Sequence, residues 1–253
     1  LGGPHHDLHS GGHGGLAPNP ATEMARLVAT LHNRDGRIAV KGFYDGVRPL
    51  TGKERALAGR PPFNAKIYES LTGVPPLGGE RGLSPAERLG FRPTIEVNGL
   101  HSGYGGAGSK TIIPAKALVK LSARLVPGQD PRRCLQLIID HLQKHAPKGL
   151  HLTITEKGCS GPAVKLDPES ALAAKAKKVL KGLNCGEPVF LWEGASIPIV
   201  SGLARVSGAE PLLIGFGHDR DKVHAPNESF SIAQYRRGYT YVALMLSELA
   251  AAN

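Results

Sequence analysis

Residues 115–126 set apolar Ala117, Val119, Leu121, Ala123 and Leu125 against polar Lys116, Lys120, Ser122 and Arg124. A period of two commits this stretch to a strand with one buried face. It also puts Arg124 on the polar face, away from the core. Around the strand, three segments open with a capping residue followed by proline, the combination that starts helices. Asn19-Pro20 precedes Met24, Leu27, Val28 and Leu31 on one face, and Asp130-Pro131 precedes Leu135, Ile138, Ile139 and Leu142. Asp167-Pro168 precedes Leu172, Val179 and Leu180, with Gly182 as the stop. A fourth helix, near 231–250, is expected to begin with Ser231 and Gln234 as a capping box. Its Ile232, Tyr239, Val242, Leu246 and Leu249 keep helical spacing. Shorter strands are expected at 94–98, 151–155, 188–192, 198–203 and 211–216.

Up to residue 160 the order is strand, helix, irregular stretch, strand, strand, helix, strand, the ferredoxin-like β-α-β-β-α-β pattern. A long insertion occupies about 36–92. Pro61-Pro62, Pro75-Pro76 and Gly78-Gly79 punctuate it, but Ser84-Pro85-Ala86-Glu87 is a helix start, and Phe43, Tyr44, Phe63 and Tyr68 give it something to bury. It is read as folded. From Asp167 onward helices alternate with apolar strands, which suits an α/β layer. The expected class is therefore α/β with an α+β lid, divided into 1–163 and 164–253 around Gly161-Pro162.

The formal charge of +10 raises the question of nucleic acid. No Lys/Arg block reaches five residues, and Lys175, Lys177, Lys178 and Lys181 lie beside an apolar stripe, so a solvated basic surface is expected, with no nucleic-acid partner. Such a field also suits carboxylate-ended substrates. Three cysteines, Cys134, Cys159 and Cys185, without C-x-x-C spacing, argue against a disulfide framework and for a cytoplasmic home. No apolar run has the length of a membrane span. The start, Leu1-Gly2-Gly3-Pro4-His5-His6, lacks an initiator methionine and a signal-peptide pattern, so the chain is expected to begin within a longer protein or after processing.

Gly103-Tyr104-Gly105-Gly106-Ala107-Gly108, followed by Lys110-Thr111, matches G-x-G-x-x-G. Phosphate loops need a helix straight after the glycines, whereas Pro114 and a period-two strand follow, so the loop is read as flexible backbone near a ligand or partner. His5, His6, His9 and His13 crowd the start, and a strand there would send His6 and His9 to opposite faces. His224 stands in a loop after the expected strand 211–216, where open α/β sheets build sites; a neutral imidazole there can bind zinc, with Asp219, Asp221 or Glu228 orienting it. Glu193-Gly194-Ala195-Ser196 follows another expected strand, and small residues there expose backbone N–H groups to a carboxylate or oxyanion. A plain strand-to-helix turn capped by serine fits that stretch equally well.

Five segments share one order: Asp7-Leu8-His9-Ser10-Gly11-Gly12-His13-Gly14-Gly15, Gly106 to Pro114, Ala123-Arg124-Leu125-Val126-Pro127, Glu193 to Pro198, and His224-Ala225-Pro226-Asn227-Glu228. Together they resemble the carnosine dipeptidase and cytosolic non-specific dipeptidase branch of the aminoacylase-like dinuclear zinc metallopeptidases. The resemblance implies a zinc-binding α/β domain interrupted by a ferredoxin-like lid through which the enzyme forms a homodimer. It implies hydrolysis of a dipeptide by zinc-activated water, with two zinc ions in the complete protein and manganese or cobalt as alternatives. It makes His224 the last metal ligand and Arg124 the grip on the substrate's C-terminal carboxylate. His9 and Thr111 would reach into the neighbouring subunit's site, His9 as the oxyanion donor. Gly194 and Ser196 would line the pocket, with Glu193 near the metals. The family's His-x-Asp, bridging aspartate and Glu-Glu have no counterpart before Asp7, so this chain alone is expected to be inactive. Where relatives carry a histidine, Gly158-Cys159-Ser160-Gly161-Pro162 stands, and Ala195 replaces a common glycine. Two alternatives remain open: a non-catalytic homodimerisation module, and an N-acyl-amino-acid deacylase.

Overall fold

A computed structural model describes residues 1–60, 63–184, 186–194 and 197–251. In chain order its elements are β1 (Leu8–His9), α1 (Ser10–His13), α2 (Pro20–Ala29), α3 (Gly52–Ala58), α4 (Ala65–Thr72), α5 (Pro85–Phe91), β2 (Thr94–Ser102), β3 (Ile112–Ile113), β4 (Ala117–Arg124), α6 (Pro131–Lys144), α7 (Ala171–Gly182), α8 (Pro198–Ser207) and α9 (Ile232–Ala250). A single 3₁₀ turn covers Asp219–Asp221. The chain divides into two compact units. One holds Leu1–Pro49, Gly78–Ala163 and Glu193–Pro198; the other holds Leu50–Leu77, Val164–Trp192 and Ile199–Asn253. Residues 50–77 of the expected insertion thus group with the later part of the chain.

In the first unit β4 pairs antiparallel with β2, from Thr94↔Arg124 to Ser102↔Ala117. A register shift between Val97 and Gly99 marks a bulge. On the other side of the β4 line, Gly2 bridges antiparallel to Lys116 and also to His151. The lateral order is therefore 151, 1–3, 115–124, 94–102, the 4-1-3-2 arrangement of a ferredoxin-like sheet. The expected first strand shrinks to β1, which pairs with β3 instead. Bends at Pro4–His6 precede it and α1 follows at once, so the expected alternation of His6 and His9 across a strand does not occur. The expected strand 151–155 survives only as the bridge at His151.

Asn19 Oδ1 accepts from the Ala21 amide at 2.9 Å and Asp130 Oδ1 from the Arg133 amide at 2.7 Å, so α2 and α6 start where their caps require. Met24, Leu27 and Leu31 from α2 and its end, and Cys134 and Leu142 from α6, enter one core with Ile95, Ala117, Phe43 and Leu150. Phe43 is wholly buried. Each of the Met, Leu, Ile and Phe side chains removed from water contributes about 1.5–3 kcal/mol. Gln129 closes this core's polar seam, accepting from the Val126 amide and donating to the Phe43 carbonyl.

The insertion's part of this unit is pinned by a charge cluster. Glu80 accepts from Arg92 through both carboxylate oxygens, each at 2.8 Å, and from the Tyr44 hydroxyl at 2.6 Å. The guanidinium carbons of Arg37 and Arg92 lie 3.8 and 4.7 Å from the Tyr44 ring centroid. Burial, and then the bond to Glu80, push the Tyr44 hydroxyl up to about 12. A phenol whose folded value is raised stabilises the fold fully below its ordinary value and loses that contribution as pH climbs through the raised one. We predict that about 1–2 kcal/mol of stability, discounted for partial exposure, is lost between about pH 10 and pH 12. Urea melts of wild type and Tyr44→Phe across that window check it: the gap between the two proteins should narrow, and a constant gap would refute it.

In the second unit α7 packs on α9 through Ala176, Val179, Tyr241 and Met245, joined by Phe216. One expected helix start is displaced, and another keeps its place without its expected cap. Asp167 Oδ1 accepts from the Glu169 amide in a turn of its own, and α7 instead begins after Ser170, whose Oγ accepts from the Ala173 amide. Ser231 makes no side-chain cap, and Gln234 donates to the Phe216 carbonyl rather than closing a box. The expected strand 198–203 is the helix α8: Pro198 stands at its start, and an apolar run this short fits either period. Segments 188–192 and 211–216 form no ladder among the described residues. Cys185 and Pro61-Pro62 lie outside the described residues. No described helix is long and apolar enough to cross a membrane.

Candidate functional site

The pairing of β1 with β3 joins residues about a hundred positions apart. His9 faces Ile112 in register, and the Ser10 amide donates to the Thr111 carbonyl at 2.9 Å. Asp7 locks the junction by accepting the Ala115 amide on Oδ1 at 2.8 Å. The two residues expected to act on a neighbouring subunit, His9 and Thr111, therefore sit together, and both are exposed. His9 caps α1: its Nδ1 accepts the Gly11 amide at 3.0 Å. The glycine loop ends here. Its Tyr104 hydroxyl donates to the Ala107 carbonyl, Lys110 Nζ lies 4.6 Å from the Tyr104 ring centroid, and β3 follows, not a helix. Asp7 and Gly11 hold this junction through tasks that their residue types alone do not announce.

Arg124 ends β4 on its exposed face, opposite Thr94. Gly194 comes beside it: a Cβ there would stand 3.9 Å from the Arg124 Cβ and 3.6 Å from the Leu89 carbonyl oxygen. Two expected substrate contacts far apart in sequence thus meet at the end of one strand. Glu193 is exposed next to them. Ser196, and Ala195 with it, lie outside the described residues. Counted along β4, the Arg124 end and the Asp7–His9–Thr111 end are separated by the whole strand, about 23 Å at roughly 3.3 Å per residue.

His224 belongs to the second unit, in a loop with three left-handed non-glycine residues: Lys222 (φ 55°), His224 (φ 63°) and Asn227 (φ 62°). Each costs of order 1 kcal/mol or more, so the surrounding bonds must enforce the shape. They do. Asp221, itself buried, accepts the His218 amide on Oδ2 and the Ser229 amide on its carbonyl, and Glu228 accepts the His224 amide at 3.1 Å. The imidazole is left exposed on this braced loop. As a borderline nitrogen donor it fits one position around a zinc ion, whose full set is about four. Among the described residues no group of three or more His, Cys, Asp or Glu could hold a metal, so Asp219, Asp221 and Glu228 do not complete a site with it. The histidines at 5, 6, 9 and 13 form no such group either.

Residues 1–150 match the family model described as the peptidase dimerisation domain. Over 241 residues the chain is 29% identical to the Cys-Gly metallodipeptidase DUG1 of Candida albicans, covering 93% of this chain and 49% of that protein. It is 25% identical over 249 residues to the human Beta-Ala-His dipeptidase, covering 96% of this chain and 48% of that protein. Its fold superposes on the M20 family metallo-carboxypeptidase Sso-CP2 of Sulfolobus solfataricus with a TM-score of 0.81 at 31% identity, over 97% of this chain and 56% of that one. The chain spans about half the length of the curated relatives it matches. The family match over the ferredoxin-like unit, together with these relatives, shows that the chain belongs to the M20 peptidase dimerisation-domain family.

Proposed function

We propose that this chain supplies the dimerising lid and the substrate grip of a metal-dependent dipeptidase, one that cleaves the bond beside a C-terminal amino acid. The observation that supports it most is the pairing of Arg124 with Gly194 at one end of β4 while His9 and Thr111 gather at the other. An extended dipeptide spans only about 7 Å. It cannot reach both ends of a strand of about 23 Å. Two copies related by a twofold axis can bring the His9 end of one lid to the Arg124 end of its partner, because such an interface is reciprocal.

In that arrangement Arg124 takes the substrate's terminal carboxylate in a bidentate, charge-assisted pair and fixes the scissile bond in place. Gly194 keeps the space beside it clear. His9 donates to the oxygen of the scissile carbonyl as negative charge develops there, and Thr111 holds the same edge. His224 would hold one position of a zinc ion; two such ions, when bound, supply Lewis acidity and activated water. The partner ligands belong to the part of the complete enzyme outside this chain. Cys134 and Cys159, both free thiols, fit a reducing cytoplasm.

Subunit complementation tests this reading. In the complete enzyme, His9→Asn and Arg124→Ala homodimers should each be nearly inactive on dipeptides. Equal mixing of the two chains should restore about a quarter of wild-type activity, since half the dimers are mixed and each has one intact site. A mixture no better than the average of its parents would place both residues in one subunit's site and sink the arrangement. Running N-acetyl amino acids beside dipeptides separates a deacylase from a dipeptidase.

A further inference from the structure

We propose that Gly11 is a positioning residue that fixes His9 as a hydrogen-bond donor through Nε2; the catalytic use of that donor rests on the function proposed above. A neutral imidazole has one N–H and one bare nitrogen. The Gly11 amide can only donate, and it lies 3.0 Å from His9 Nδ1. Nδ1 must therefore be the acceptor, and the ring proton sits on Nε2. The second observation is steric. A Cβ at residue 11 would fall 2.7 Å from His9 Cε1 and 3.0 Å from Nδ1, so any side chain there drives the ring off the amide.

The neighbouring glycines have different tasks. Gly15 is left-handed at φ 80°, and a Cβ on Gly14 would meet the Ser10 carbonyl oxygen at 2.6 Å, which closes the turn after α1. A Cβ on Gly12 meets nothing within 4 Å. Only position 11 is shaped around the imidazole. A ring preset in this way needs neither a tautomer change nor a gained proton before it can stabilise an oxyanion, which is how preorganised donors lower barriers.

The test uses the chain itself, labelled with ¹⁵N at its 11 histidines, with the His9 signals identified by their loss in His9→Gln. Wild type should show His9 only as the Nε2–H tautomer, with the Gly11 amide exchanging at least about tenfold more slowly than that of Gly12. Gly11→Ala should lose the single tautomer and the slow amide, while Gly12→Ala keeps both. A mixed or Nδ1–H ring in wild type, or a Gly11→Ala protein with the wild-type pattern, overturns the proposal. In the complete enzyme Gly11→Ala should lower kcat at least about tenfold with little change in KM, and Gly12→Ala should not. His9→Gln, whose amide nitrogen can stand near the Nε2 position, should retain more kcat than His9→Asn. If the tautomer pattern holds but His9→Asn leaves kcat intact, the positioning stands and the functional reading fails. If His9→Asn is inactive while the ring is mixed, the positioning fails alone.

Discussion

Arg124→Ala is expected to lower kcat/KM on an unblocked dipeptide by about 10²- to 10³-fold, because a hydrogen-bonded charge pair with the substrate carboxylate is worth some 2–5 kcal/mol. On the same dipeptide capped as its C-terminal amide the loss should stay within about threefold, since no carboxylate is present to lose its partner. Arg124→Lys should recover only part of the activity: a point charge keeps the Coulomb attraction and forfeits the planar fork. The ratio between free and capped substrate is the decisive measurement. Equal losses on both would mean that Arg124 supports the β4 end and Gly194 rather than gripping substrate.

The largest effect on stability is expected at a pair of glycines in the first unit. Gly46 (φ 85°) and Gly128 (φ 96°) press backbone on backbone. A Cβ at Gly46 would lie 2.1 Å from the Gly128 carbonyl oxygen, and one at Gly128 would lie 2.2 Å from that of Gly46. No rotamer relieves a clash with main chain, and the left-handed backbone adds its own cost. Gly46→Ala and Gly128→Ala should each destabilise by about 3 kcal/mol or more, lowering Tm by roughly 10 °C. Gly82 is the control: it is left-handed at φ 80° with nothing within 4 Å of a Cβ. Gly82→Ala should cost only about 1 kcal/mol. If thermal melts give all three variants the same shift, the contact between positions 46 and 128 is not the cause.

Local chemistry announced some elements and tertiary pairing decided the rest. Asn19 and Asp130 cap their helices as read because a side-chain oxygen two or three residues from its amide needs nothing else. The alternation at 115–126 became β4 because one of its faces found α2 and the core. Asp167 misled because aspartate before proline makes a turn as readily as a cap, and Ser170 was the better cap three residues on. The stretch 198–203 misled because its few apolar residues satisfy both periods. At the site, Arg124 was legible from the strand's polar face. The adjacency of His9 to Thr111, and of Gly194 to Arg124, was not, since no local rule reports a contact across a hundred or seventy residues; only the order of motifs pointed to it. The Gly11–His9 bond lies within reach of local reasoning, yet histidine is rarely a helix cap and the glycines around it hid which one mattered.

The first three residues have a topological consequence. The Leu1 nitrogen donates to the Ala117 carbonyl, the Gly3 amide to that of Ala115, and Gly2 joins Lys116 on one side to His151 on the other. A central member of the sheet is thus drawn from one extreme of the unit and clasped by segments more than a hundred positions downstream. Closing that clasp sacrifices the freedom of nearly the entire intervening chain before any ladder bond is returned. Pairings at such separations raise the contact order of this unit, the property that slows folding.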